Sequence, residues 1–249
     1  MQPGIGNKTI TYLPGMANKE SKGMRSGLHY VVEFLVILLG ITVSVTLEKN
    51  NAREYKREVK DQGLTRILAN LRQDSLDIRY NIGTHEVSQA SCEWMTQHRA
   101  VLDEQHPDSV GKHCAICIQA QTIFVDNQEE YRTLQHSGLL EFIENDELVR
   151  ALQTKYAEHA FIKKLESYLL EFAAQLHPDL FRCLSSRPDM PYFRKTPLRR
   201  WNGQEFGDPF LEQLVELATV HEMYNGLMLG RLEADAALGA LIRSEIGAE

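Results

Sequence analysis

Four cysteines are the first residues of this sequence that could carry chemistry: Cys92, Cys114, Cys117 and Cys183. Cys114 and Cys117 have the CxxC spacing of redox enzymes and of some metal sites. No strand pattern precedes them and Ile118, rather than a histidine, follows them, so neither a thioredoxin arrangement nor haem attachment is indicated. In an oxidising compartment we expect a structural disulfide among the four cysteines. Inert thiols, and thiol–disulfide catalysis or metal binding at Cys114 and Cys117, are the alternatives.

The nine histidines do not predict a metal site. His113 lies beside a cysteine, but no second pair of cysteine or histidine residues has zinc-finger spacing. No histidine has the preceding glutamate of di-iron bundles, and the His-Glu pairs at His85 and His221 do not extend to HExxH. We expect His159 to be a hydrogen-bonded core residue. We expect His29 to lie at a membrane interface, and its alternative role is a ligand to a metal or tetrapyrrole held by a partner.

The sequence also lacks the common motifs of enzymes. It contains no G-x-S-x-G, no P-loop and no Gly-rich dinucleotide turn. Its net charge of -7 argues against nucleic acid as the main partner. These observations predict a non-catalytic protein that needs no cofactor.

Glu33 is the one formally charged side chain between Arg25 and Glu48. It lies in a mostly apolar run of about twenty residues, Leu28 to Leu47, and at about 1.5 Å per residue this run matches a hydrocarbon core about 30 Å thick. The run predicts a single transmembrane helix. A cleaved signal peptide fits less well, because the leader and the apolar run are both long and no small-x-small site follows.

One face of this predicted helix differs from the others. Glu33, Ile37, Gly40 and Ser44 recur at three- and four-residue spacing, so they lie along one side. Gly40 and Ser44 form a small-xxx-small pair, which allows the backbone of another helix to come close. We therefore expect this face to contact another transmembrane helix. Two alternatives remain, in which Glu33 reaches headgroup water or lines a proton pathway in a homo-oligomer.

A loop near the C-terminal third combines basic and aromatic side chains. The loop spans residues 183–207, and its candidate contact residues are Arg187, Tyr192, Phe193, Arg194, Lys195, Arg199, Arg200 and Trp201. This combination suits an acidic partner protein or an anionic lipid surface. The alternative is a solvated connector whose aromatic residues cover one end of the domain.

The remaining pattern predicts an all-α protein. We expect a polar, basic tail at residues 1–27, the transmembrane helix at 28–47, a charged helical stalk at 48–63 and an antiparallel helical bundle at 64–249. The bundle has enough residues for one domain with a hydrophobic core. No segment of the sequence shows strand periodicity.

Capping residues and apolar periodicity predict the helices of the bundle. A first helix is expected to stop at Gly83 and Thr84, and a second to bury Val87, Ser91, Trp94, His98 and Val101. A poorly patterned stretch follows the turn at 106–108. Residues 126–129 form a capping-box variant for a short helix, Asn145 is expected to cap a long helix, and Asp208 and Pro209 begin the last one.

The sequence resembles an uncharacterised bacterial family of single-pass membrane proteins, known only as a domain of unknown function. The resemblance rests on the Glu-(apolar)-Gly-Ile span from Glu33 to Ile41, on the charged helix that leads to Asp74, and on a second block. That block comprises Tyr131, Leu134, Ser137, Gly138, Leu140, Ile143, Asn145, Leu148, Leu152 and Tyr156. The resemblance implies a shared fold and transfers no activity.

Taken together, the residues predict a structural or accessory subunit of a larger bacterial inner-membrane complex, with respiratory and photosynthetic assemblies as candidate hosts. Its expected partners are other transmembrane helices, in a hetero-complex rather than a homo-oligomer, and membrane lipid. The basic tail favours a cytoplasmic N-terminus and a periplasmic helical domain. A periplasmic ligand-sensing bundle and a proton pathway through Glu33 are the alternative functions.

Overall fold

The computed structural model describes residues 21–125, 127–186 and 199–247. In chain order its elements are α1 (Ser21–Gln97), a 3-10 helix (Arg99–Glu104), α2 (Pro107–Gln119), α3 (Glu129–His136), a second 3-10 helix (Leu139–Phe142), α4 (Asp146–Gln175), α5 (His177–Cys183), β1 (Leu184–Ser186), β2 (Arg199–Trp201) and α6 (Asp208–Glu245). The prediction of an all-α protein is confirmed. The chain divides into two compact units, one up to Tyr55 and one from Lys56 onward.

The first unit contains the apolar run. Every residue from Leu28 to Leu47 is helical and exposed, and within the described residues α1 is the one helix long and apolar enough to cross a membrane. The hydroxyl groups of Thr42 and Thr46 donate to the carbonyl oxygens of Leu38 and Thr42, each at 2.8 Å. The threonines therefore expose no unpaired hydroxyl hydrogen to an apolar environment. α1 begins at Ser21, inside the predicted tail, and residues 1–20 lie outside the described residues.

The prediction that Gly83 and Thr84 end a helix is wrong, because α1 continues to Gln97. A glycine inside a helix costs only about 1 kcal/mol relative to alanine, which the packing of the bundle outweighs. The Thr84 hydroxyl donates to the carbonyl oxygen of Tyr80 at 3.1 Å and so stays within the helical pattern.

The buried face of this part of α1 also differs from the prediction. Val87 was expected inside, yet 53% of it is exposed. The buried residues are Ile78, Asn81, Ile82, His85, Ser88, Ser91, Cys92 and Met95. Four of these eight residues are polar, so the hydrophobic periodicity pointed to the wrong side of the helix.

The stretch that seemed poorly patterned is the helix α2. Pro107 occupies its first turn, and a ring nitrogen of His106 accepts a hydrogen bond from the backbone N–H of Asp108 at 3.3 Å. Proline at this position leaves no intrahelical hydrogen bond unmade, so the residues expected to form a turn begin a helix instead. Cys114 and Cys117 lie on its buried face.

The predicted starts of α4 and α6 agree with the structure. α3 begins at Glu129 after Gln128, which makes no side-chain cap hydrogen bond, and Asp126 of the predicted capping box lies outside the described residues. The Asn145 side chain accepts from the backbone N–H groups of Glu147 and Leu148 at 2.9 and 3.3 Å, and α4 follows directly. Gly138 has a φ of 69° and follows α3, so only a residue tolerant of the left-handed region fits there. α6 begins at Asp208.

The segment expected to be a loop contains a short two-stranded sheet. β1 and β2 pair antiparallel, with Leu184 opposite Trp201 and Ser186 opposite Arg199. Strands of three residues are too short to show an alternating pattern in the sequence. Residues 187–198 lie outside the described residues.

Three clusters of buried apolar side chains form the core of the second unit. The largest joins α1, α2, α4, α5 and α6 and includes all four cysteines. A second, around Leu64, Leu148 and Leu238, joins α1, α3, α4 and α6. A small third cluster surrounds Tyr224 and Met228. Buried polar residues of α1, α4 and α6 accompany these clusters, and the candidate sites lie among them.

Candidate functional sites

The predicted contact face of the apolar helix is fully accessible in the first unit. Glu33, Ile37, Gly40 and Ser44 are all exposed, and a Cβ added to Gly40 would meet no atom within 4 Å. Small residues at this spacing permit close approach of a second helix. Within the described residues, Gly40 therefore leaves an open position on this face of the helix.

The cysteines are arranged differently from a CxxC redox site. Cys92 of α1 and Cys117 of α2 form a disulfide, with Cα atoms 4.9 Å apart. Cys114 and Cys183 are thiols in the same core, and each of the four residues has an exposed fraction of 0%. Burial raises the pKa of the Cys183 thiol. Reactive thiols need an exposed position and a lowered pKa, so this arrangement favours a structural role.

A buried network of charged residues joins α1, α4 and α6. This lysine network consists of Lys155, Asp74, Asp235 and Arg231. Lys155 Nζ donates to Asp74 Oδ2 and to Asp235 Oδ2, each at 3.0 Å. Arg231 donates to Asp235 Oδ1 from Nε at 2.9 Å and from Nη2 at 2.5 Å. Two positive and two negative side chains therefore balance one another inside the bundle.

Glu158 completes the lysine network at its solvent-facing end. Arg231 Nη1 donates to Glu158 Oε2 at 2.8 Å, and Glu158 is half exposed. Removing one partner from such a network leaves an uncompensated buried charge, which is far more costly than the net contribution of the intact set. The network links α1, α4 and α6 through buried ion pairs. Sequence reasoning missed it, although Arg231 and Asp235 have the i, i+4 spacing of an ion pair.

A pair of buried histidines connects α1 to α6. His85 Nδ1 and His221 Nδ1 lie 2.8 Å apart, and His85 Nε2 lies 3.1 Å from the carbonyl oxygen of Thr122. Because that carbonyl can only accept, His85 donates from Nε2 and accepts at Nδ1, so His221 donates from Nδ1. His221 Nε2 is then a buried lone pair without a hydrogen-bond partner.

Burial keeps both histidines neutral. It lowers the pKa of His85, and together with the neighbouring His85 ring it lowers the pKa of His221 to about 3, although the Cys117 backbone opposes this shift. The ring of Tyr224 stacks on His85 with centroids 4.1 Å apart. Burial, reinforced by the Glu166 carboxylate that accepts from the Tyr224 hydroxyl at 3.0 Å, raises the pKa of Tyr224.

These polar side chains hold an irregular backbone segment, residues 120–125, which we call the connector. Ser88 donates to the carbonyl oxygen of Ala120, and Lys163 donates to that of Phe124. The backbone N–H groups of Phe124 and Val125 donate to Glu166 Oε1 at 2.6 Å and to Asp77 Oδ2 at 2.9 Å. A segment without regular structure must satisfy its backbone groups in this way. The buried polar residues therefore satisfy the hydrogen-bonding groups of the connector backbone.

A groove of about 740 Å³ lies beside the connector. Its lining is mostly polar and comprises Asn70, Gln73, Asp74, Asp77, Phe124, Val125, Asn127, Gln128, Glu129, Arg132, His159 and Lys163. Asn70 Nδ2 is buried without a hydrogen-bond partner. The volume suits a small metabolite. Charges of both signs line the groove, so its shape does not define one ligand class.

Of the other histidines named in the sequence analysis, His98 and His113 contact the same Trp94 ring, whereas His159 and His29 lie elsewhere. His113 stacks on Trp94 with centroids 4.2 Å apart, and His98 stacks on Trp94 at 4.4 Å. His159 is half-buried, with its ring 6.4 Å from that of Phe124. His29 is exposed. Among the described residues, no three His, Cys, Asp or Glu side chains are grouped so that they could hold a metal ion.

The basic and aromatic loop is described only in part. Arg187, Tyr192, Phe193, Arg194 and Lys195 lie outside the described residues, and Arg199 is described only as part of β2. Arg200 Nε lies 3.9 Å from Asp108 Oδ1. The Trp201 indole donates to the carbonyl oxygen of Gln204 at 2.7 Å and lines a cavity of about 520 Å³. Trp201 therefore packs against the core of the second unit. Contact of the loop with a partner protein or with lipid stays a prediction.

Comparison of the chain with protein-family models, with curated proteins and with solved structures found no match. The resemblance to an uncharacterised bacterial membrane-protein family therefore stays a prediction. The function has to be argued from the geometry of the residues alone.

Proposed function

We propose that this protein is a non-catalytic, single-pass membrane protein that serves as a structural or accessory subunit of a larger bacterial inner-membrane complex. The observation that carries the proposal is the apolar helical run, one face of which contains the small residues Gly40 and Ser44. Glu33, Ile37, Gly40 and Ser44 are exposed on that face, and no atom of the described residues lies within 4 Å of a Cβ added to Gly40. A carboxyl group that faces lipid costs several kcal/mol, so Glu33 is better accommodated against protein.

The bundle supports a non-catalytic role. Its buried charged side chains are engaged in the lysine network, in the pair of Lys60 with Glu245, or with the backbone of the connector, as Glu166 is. Catalytic groups instead converge on a cleft with a position left for a reacting atom. The cysteines likewise join α1 to α2 and lie in the core rather than at a surface.

The disulfide also supports a periplasmic bundle. Disulfides persist in oxidising compartments such as the periplasm and are rare in the cytosol. The Cys92–Cys117 bond is therefore consistent with a cytoplasmic N-terminus and a periplasmic helical domain. A reporter fusion at each end of the chain tests this orientation, and a cytoplasmic signal from the C-terminal fusion would contradict it.

The test of the subunit role is purification of the full chain in a gentle detergent, followed by mass measurement of the intact complex. We expect at least one other membrane protein to co-purify. Replacing Gly40 by leucine fills the open position on this face and should abolish co-purification, because it prevents close approach of the helix backbones. Val45→Leu is the matched control, since Val45 lies about 140° around the helix axis from Gly40 and should retain the partner.

Purification of the wild-type chain with no other protein would contradict the proposal. Equal loss of the partner in the Gly40→Leu and Val45→Leu variants would contradict the assignment of the face. A topology test in the same membranes ensures that both variants are inserted.

A ligand-sensing bundle is the second candidate function, because the groove beside the connector has the size of a metabolite site and contains the unpartnered Asn70 amide nitrogen. Thermal unfolding of the full chain in the presence of amino acids, dicarboxylates or polyamines tests it. A raised unfolding temperature that Asn70→Ala abolishes would support sensing. Unchanged unfolding with all three classes of compound would count against it.

A further inference from the structure

Glu33 is an acidic residue for which the described part of the chain provides no partner. Its side chain is exposed, and no hydrogen bond or ion pair joins it to another described residue. His29 and Ile37 lie one turn before and one turn after it, and neither bonds to the carboxylate. Where water is excluded, the partner of Glu33 is therefore a group beyond the described residues.

The buried acids of the second unit show what a carboxylate requires where water is absent. Asp74 and Asp235 each lie 3.0 Å from Lys155 Nζ. Glu166 lies 2.7 Å from Lys163 Nζ. All three acids are at most 4% exposed. Each of them thus contacts an ammonium group, because attraction between opposite charges offsets the loss of hydration.

A lipid bilayer is more demanding than the interior of the bundle, because lipid tails offer no hydrogen-bonding groups. Charged residues of membrane-spanning helices therefore pair with one another or face protein and water. A hydrogen bond from a neutral side chain contributes less than one charge in hydrocarbon costs. A side chain of opposite charge removes that cost for both helices at once, so it is the partner that suits Glu33 best.

The helix also determines where this partner charge lies relative to the point of closest approach. Glu33 and Gly40 are seven positions apart, so they lie on one side of the helix and about 10 Å apart along its axis. A Cβ added to Gly40 would meet no atom within 4 Å, so the backbone of a second helix can approach most closely there. The hydroxyls of Thr42 and Thr46 already donate to the helix backbone. Glu33 is therefore the group whose charge selects the partner.

We propose that the face formed by Glu33, Gly40 and Ser44 docks a transmembrane helix of another protein, and that this helix carries a lysine or arginine opposite Glu33. The inference rests on the proposed function, because it takes the run from Leu28 to Leu47 to lie in a membrane. The partner's basic residue then lies two helical turns from the residue that faces Gly40. A second copy of this chain does not fit the same face, because copies inserted in one direction place two Glu33 carboxylates at the same depth, where like charges repel.

The subunit that co-purifies with the full chain provides the first test. A photoreactive amino acid in place of Ile37, between Glu33 and Gly40, crosslinks the span that lies against this face. We expect that span to contain a lysine or arginine. A crosslinked span without either residue would overturn the inference and leave the subunit role intact. The absence of any co-purifying protein would instead contradict the subunit role, and the inference with it.

Model peptides test the charge preference independently of the natural partner. The probes are leucine-rich transmembrane peptides with a central glycine and a lysine placed before or after it, at the same seven-residue separation as Glu33 and Gly40. Matched peptides carry leucine or glutamate instead of lysine. In phosphatidylcholine vesicles, we expect energy transfer from the labelled full chain to show about tenfold stronger pairing with a lysine peptide than with its matched peptides. Equal pairing with all peptides would overturn the proposal.

Variants of Glu33 assign this preference to a single group. Glu33→Gln keeps the size of the side chain but removes its charge, and we expect it to lose the preference for lysine. Glu33→Lys should reverse the preference in favour of the glutamate peptide, because the charges are again complementary. Glu48→Gln removes the same charge just beyond the apolar run, and this control should pair like the wild type. An undiminished preference for lysine in Glu33→Gln would overturn the proposal, and protease protection ensures that each variant is inserted.

Discussion

Charged side chains are treated differently in the two units of this molecule. In the second unit, Lys155, Asp74, Asp235 and Arg231 are buried together and neutralise one another. In the first unit, Glu33 is the only formally charged residue within an exposed apolar run. A buried charge requires a partner whether the surroundings are protein or lipid. The bundle supplies its own partners, whereas the proposed subunit role has Glu33 take its partner from another molecule.

The largest expected effect comes from breaking the balanced set in the bundle. Lys155→Met leaves Asp74 and Asp235 buried without their shared cation, and we expect the free energy of unfolding to fall by about 3–5 kcal/mol. Denaturant unfolding of the full chain in detergent, followed by circular dichroism, measures this change. Lys164→Met is the control, because Lys164 is exposed on the same helix and should change stability by less than about 0.5 kcal/mol. A loss of similar size in both variants would refute the role of the network.

An intermediate effect is expected from acidification, through the histidine pair. The pKa of His221 is lowered from 6.5 to about 3 in the folded protein, so the unfolded chain binds a proton first as the pH falls. The contribution of neutral His221 to folding stability is therefore complete above pH 6.5 and is lost as the pH falls toward 3. Over this range the folding equilibrium constant falls by up to about tenfold for each pH unit. Unfolding curves at a series of pH values check this slope.

The His221→Gln variant sharpens the same measurement. It removes the titrating group, and we expect a shallower dependence of stability on pH below 6.5 even if the variant is less stable overall. An unchanged slope would show that other groups control the acid sensitivity of the bundle.

The smallest effect is expected from Glu33→Gln. Glu33 is exposed and belongs to the first unit, so unfolding of the bundle should change by no more than about 0.5 kcal/mol. Contact with other membrane proteins, measured by co-purification, should weaken in the same variant. A marked loss of bundle stability in Glu33→Gln would contradict the prediction that Glu33 contributes to contacts of the first unit and not to the stability of the second.

The sequence predicted those features that depend on neighbouring residues along the chain. The apolar run from Leu28, the Asn145 cap and the start of α6 at Asp208 were predicted from the sequence, because capping and periodicity act within a few residues. The same local rules failed at Gly83, where the packing of the bundle outweighs a weak propensity.

Only the tertiary structure could decide which polar residues meet. Lys155 and Asp74 are 81 positions apart, and His85 and His221 are 136 apart, so no local pattern relates them. The buried side of α1 between Ile78 and Met95 is half polar, while Leu76, Tyr80 and Val87 are exposed, so apolar periodicity alone does not predict which side of this helix is buried. Local composition therefore determined the helices and the apolar run. The packing of the bundle alone decided which buried polar groups meet and which surfaces remain open, because it brings together residues that are far apart in the sequence.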